Sequence, residues 1–138
     1  MHKIALLLIV LITNYIYAQE TIQSGTLRKS EKFNFIFSLA SDLVSKTENC
    51  YTLNVRIYSH SDDGQVNLVA NQNVIIGDCT KKAIRKKLSG NCSNATYKKD
   101  YIIGTDNNSR FCLKELLKDK TIYSEYKYRT TKTIETTN

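Results

Sequence analysis

The sequence predicts a small, mainly β domain: an antiparallel sheet or barrel with one or two short peripheral helices, stapled by disulfides. Two observations carry this. Residues 51–58 and 65–70 alternate apolar and polar side chains on either side of an Asp62-Asp63-Gly64 turn signal. Four cysteines also sit behind an export leader, an even count that reads as two bridges in a small secreted domain.

The leader comes first. His2 and Lys3 form a short positive region, Ile4–Ile12 is unbroken apolar chain, and Ile16-Tyr17-Ala18 supplies a small residue at the cleavage position. The run is too short for a bilayer, which needs about 20 apolar residues. Residues 1–18 are therefore expected to be a signal peptide, and 19–129 a single secreted β-rich domain. The full chain carries a formal charge of +7, of which Lys3 contributes one, leaving +6 for residues 19–138.

Residues 19–29 read as a polar arm. Residues 30–46 fit two templates. At period two, Phe33, Phe35, Phe37 and Leu39 share one face of a strand. At helical spacing, Phe33, Ile36, Phe37, Ala40, Leu43 and Val44 form one stripe, with Ser30 as N-cap. The aromatic content favours a strand that runs into a helical turn.

Tyr51–Tyr58 is a half-buried strand, and Gln65–Ala70 resumes its alternation. With Asp63-Gly64 as a two-residue turn, Ser61 faces Val66, Ile57 faces Ala70 and Leu53 faces Val74. A one-residue slip would destroy the shared apolar face. This register puts Cys50 and Cys79 together at the open end of the hairpin, which favours a Cys50–Cys79 bridge and leaves Cys92–Cys112. Thr80–Leu88 reads as a short helix with Thr80 as N-cap, Ile84 and Leu88 inward, and Gly90 as its stop. Tyr101-Ile102-Ile103-Gly104 is a strand candidate. Phe111–Leu117 is a helical turn or a strand start. Thr121–Arg129 reads as a final aromatic-rich strand, and residues 130–138 as a disordered, threonine-rich tail.

Chemistry is sparse. His60 lies among Ser59, Ser61, Asp62 and Asp63, but neighbours in a turn do not converge as a triad must. Asp62, Asp63 and Gly64 lack the alternating oxygen ligands of a calcium loop. No Cys-x-x-Cys or phosphate-binding glycine pattern occurs, so neither a catalytic role nor a metal or cofactor is expected. The directional feature is charge: Lys81, Lys82, Arg85, Lys86 and Lys87 fall on about two helical turns. Outside the cell, partners for such a cluster are sulfated glycans, acidic proteins or anionic membrane surfaces; export argues against nucleic acid. Asn91, Asn94 and Asn107 head glycosylation sequons. The expectation is a secreted binding module that is not embedded in a membrane. A secreted effector, such as a venom or salivary toxin or a protease inhibitor, is the alternative.

Cys92-Ser93-Asn94-Ala95 followed by Lys98-Lys99-Asp100-Tyr101-Ile102-Ile103-Gly104 resembles a segment of netrin-like modules, where a cysteine precedes a Tyr-Leu-Ile-Met-Gly type strand. Tyr51–Tyr58 and Ile122–Tyr126 are similar in order to that module's flanking strands. The resemblance implies a small β-barrel used for protein or glycan contact. Residues 19–49 hold no cysteine, and Gln19 lacks the N-terminal cysteine of the family's zinc-chelating inhibitors, so metalloprotease inhibition is not implied.

Overall fold

The structure, a computed structural model, describes residues 26–82, 84, 100–105 and 110–137. The leader, Cys92, the three sequons and Arg85, Lys86 and Lys87 lie outside the described residues. Among the described residues five strands form one antiparallel meander in the order β1-β2-β3-β4-β5: β1 (Arg28–Lys29), β2 (Ile36–Thr47), β3 (Cys50–His60), β4 (Val66–Gly77) and β5 (Asp100–Thr105). Among the described residues β1 and β5 do not pair, so these five strands form an open sheet. Two helices follow, the single turn α1 (Leu113–Leu116) and the long α2 (Lys120–Thr137).

The alternation in β3 is realised in full. Tyr51, Leu53, Val55 and Ile57 are buried on one face, opposite Ala70 and Val74 of β4 and beside Phe37 and Leu39 of β2. Against this face pack Leu113 and Leu116 of α1 and Ile122 and Tyr126 of α2. Each fully buried side chain of this size is worth about 1.5–3 kcal/mol, so this layer is the main driving force for folding. Phe33, Phe35, Phe37 and Phe111 extend it as a chain of rings with centroids 6.1–6.4 Å apart.

The hairpin register is as expected at Ile57–Ala70 and Leu53–Val74, but the turn differs. Ser61 pairs with Gln65 through Ser61 N–H to Gln65 O at 2.9 Å, and Gly64 N–H returns to Ser61 O at 3.0 Å. The loop is thus three residues, Asp62-Asp63-Gly64, with Gly64 at φ 86°. Val66 faces His60 instead of Ser61, and a bulge between Ile57 and Tyr58 absorbs Val69 and restores the apolar register.

Three segments depart from expectation. Residues 36–47 are strand throughout, with no helical turn: the period-two face is buried, while Ile36, Leu43 and Val44 of the helical stripe stay exposed. Glu48 and Asn49 close the β2–β3 hairpin, with Glu48 in the left-handed region at φ 53°. The expected final strand at 121–129 and the expected disordered tail at 130–138 are one helix as far as Thr137. Tyrosine and threonine favour strands by propensity, yet Ile122, Tyr126 and Thr130 fall four apart and are buried on one stripe. The Asp119 carboxylate caps the start, accepting from the N–H groups of Thr121 and Ile122 at 2.9 and 3.0 Å. Threonine hydroxyls fold back onto helix carbonyls, Thr130 to Tyr126 at 2.7 Å and Thr133 to Arg129 at 2.9 Å. This helix also removes one of the strands on which the netrin-like resemblance rested.

Polar pins hold the helical layer to the sheet. Gln72, buried in β4, accepts the Leu113 N–H at the start of α1. Glu125, almost fully buried, takes Arg129 at 2.8 Å and Arg28 at 3.2 Å, tying α2 to β1.

Candidate anion-binding surface and the His60 cleft

The cation run begins where β4 ends. Cys50 and Cys79 are bridged, with Cα atoms 5.0 Å apart, and close the open end of the β3–β4 hairpin. Cys112 is disulfide-bonded as well. Gly77 makes this end possible: at φ 111° it lies under the β2–β3 turn, Asp78 N–H donates to Asn49 O at 3.0 Å, and a Cβ on Gly77 would overlap that same oxygen.

Lys81, Lys82 and Ile84 are helical, and Ile84 N–H donates to Thr80 O at 3.1 Å. Ile84 is 1% exposed and packs on Ile75 beside Cys50 and Cys79. Ile75 follows Val74 in β4, so this small cluster lies on the sheet face opposite the main core. Lys81 and Lys82 are exposed. For these three residues the phase is the one the spacing predicts, apolar inward and cationic outward; Leu88 and Gly90 lie outside the described residues.

The same face continues as a polar ladder. Asp42, Asn54 and Asn73 stand abreast on β2, β3 and β4, as do Ala40, Arg56 and Asn71. The Asn54 amide donates to Asn71 Oδ1 at 2.8 Å and Asn73 Oδ1 at 3.1 Å, and Arg56 pairs with Asp42. Arg56 Nε is buried with no hydrogen-bond partner among the described residues. That nitrogen apart, the ladder is paired by neutral amides and one ion pair, and it supplies neither a nucleophile nor a pair of carboxylates.

His60 lines a cleft of about 480 Å³ with Lys29, Asn34, Phe35, Ser59 and Asp62. Its Nε2 lies 2.7 Å from Ser38 Oγ on β2, a partner that no sequence spacing pointed to. Partial burial pulls the imidazole pKa below its ordinary value. Ser38 is only 1% exposed, and its hydroxyl joins β2 to β3. The turn carboxylate points elsewhere: Asp63 accepts the Ser61 hydroxyl and the Gln65 N–H, which hold its pKa below the usual carboxylate range. Ser61, His60 and Asp63 therefore do not form a triad. Among the described residues no group of acidic, histidine and cysteine side chains is arranged to hold a metal ion, and no helix is long and apolar enough to cross a membrane. Comparison with protein-family models, curated proteins and solved structures finds no match for this chain.

Proposed function

We propose that the chain is an exported binding module that meets an anionic extracellular partner, a sulfated glycan or an acidic protein, through Lys81, Lys82, Arg85, Lys86 and Lys87. The observation that carries this reading is the phase of the turn at 80–84. Ile84 is driven into the sheet while Lys81 and Lys82 are left in solvent, and the sequence continues the cation run through Arg85, Lys86 and Lys87. Like charges gathered on one face raise the local concentration of polyanions and speed encounter. The disulfide anchors the start of this turn to β3 and suits an oxidising compartment. Export, the partner class and glycosylation at Asn91, Asn94 and Asn107 belong to the same proposal, as does the absence of catalysis.

Immobilised heparin tests it. Replacing the five cations by Gln should lower the salt concentration at which the protein elutes and flatten the dependence of affinity on salt. Elution at the parental salt, with the circular dichroism unchanged, would rule the cluster out as the contact.

A further inference from the structure

The geometry points to a second glycan-binding surface, the outward face of α2, with a sulfated polysaccharide as its ligand. It lies across the sheet from the Lys81 cluster and does not depend on it. A strand over 121–129 would not make these pairings; the helix sets Lys127 one turn from Tyr123 and Lys132 one turn from Tyr128. Tyr123 and Tyr128 are 44% and 53% exposed, large aromatic side chains left in water beside a helix whose apolar stripe is already buried. Tyr123 has one cation over its ring and Tyr128 has two. Lys127 Nζ lies 5.7 Å from the Tyr123 centroid, and Arg129 and Lys132 lie 5.5 and 5.9 Å from that of Tyr128. Lys120 and Lys127 are two helical turns apart on one side, about 10 Å along the axis.

The charge balance of this face is positive. Of the two helix carboxylates, Glu125 is buried between Arg28 and Arg129, and only Glu135 stands in solvent, 3.7 Å from Lys132. The pairing of exposed aromatic rings with cations selects a ligand that offers both apolar faces and anions. A sulfated sugar chain does: its C–H faces stack on Tyr123 and Tyr128 while its sulfates meet Lys120, Lys127 and Lys132. An anionic membrane is the poorer match. A helix lying in a bilayer surface buries an apolar face about 5–10 Å deep, and here Ile122 and Tyr126 are already committed to the core.

The test uses the full chain on immobilised heparin with two variants. Lys120→Gln/Lys127→Gln/Lys132→Gln should reduce the slope of log affinity against log salt by about one per lysine, as at other polyanion contacts. Tyr123→Ala/Tyr128→Ala should weaken binding at fixed salt and leave that slope alone. An unchanged slope in the lysine variant overturns the proposal. So does a tyrosine variant that binds like the parent, since the surface would then read charge only. Stronger binding to phosphatidylserine vesicles than to heparin, or equal competition by duplex DNA, also overturns it. The five-cation variant of residues 81–87, run beside these, separates this surface from the other: its shift adds to that of α2 if both faces bind.

Discussion

The β3–β4 hairpin and the α2 helix are each decided by burial, but they write it into the sequence differently. In the hairpin, local preference and tertiary demand agree. The residues that favour strands alternate with polar ones, one face is buried, and any slip would expose Leu53, Val55 and Ile57. In α2 they conflict. Residues 120–137 are rich in tyrosine and threonine, and their helix is set by the Asp119 cap, the Glu125–Arg129 pair and a stripe that reaches the core only every fourth residue. Agreement between levels makes an element legible; a conflict resolved by packing leaves it hidden.

The sharpest way to break this contrast is Tyr126→Ala. Tyr126 is fully buried, and its loss should cost about 3–5 kcal/mol, with helicity falling more than sheet signal in urea titrations followed by circular dichroism. A variant that retains parental stability would mean that α2 does not rely on its packing. On the hairpin side, Gly77→Ala should cost about 2–4 kcal/mol, through a left-handed backbone and a clash with Asn49 O that only main-chain movement relieves. A cost under about 0.5 kcal/mol, the scale of an ordinary surface change, would show that the turn over Gly77 is soft.

A smaller effect sharpens the comparison through pH. Burial alone would raise the Asp119 pKa, but the N–H groups of Lys32, Ile122, Thr121 and Glu31 outweigh it and hold the pKa below its usual value. A carboxylate depressed in the folded state stabilises fully above its unfolded pKa, about 4, and loses that contribution as pH falls through the folded value. Asp119→Ala should therefore cost about 0.5–2 kcal/mol at neutral pH, with the gap to the parent narrowing as the solution is acidified below pH ~4. A gap independent of pH would show that the carboxylate charge is not what caps α2.

These contrasts explain how far the sequence could be read. The sheet, the inward face of β3 and the Cys50–Cys79 bridge follow from alternation around one turn signal. The apolar register was recoverable although the turn was not, because the bulge at Val69 offsets the extra loop residue. The Glu48-Asn49 turn was opaque: it uses a left-handed glutamate where glycine or asparagine is the usual signal. For α2, the fourfold spacing of Ile122, Tyr126, Thr130 and Ile134 was present but diluted by threonine. Of the candidate sites, the cation run was plain in the sequence. The Ser38–His60 contact and the tyrosine face of α2 arise only when distant residues are brought together.

The bridge at the end of the hairpin has one more consequence. Cys50 and Cys79 close a covalent ring that runs through β3, the Asp62–Gly64 loop and β4. A protease that cuts this exposed loop opens the ring but releases nothing. Both strands stay attached, the core face stays assembled, and the surfaces on its two sides stay in one molecule. In a protease-rich medium this exposed tip of the sheet is thus a place where a single cut separates nothing.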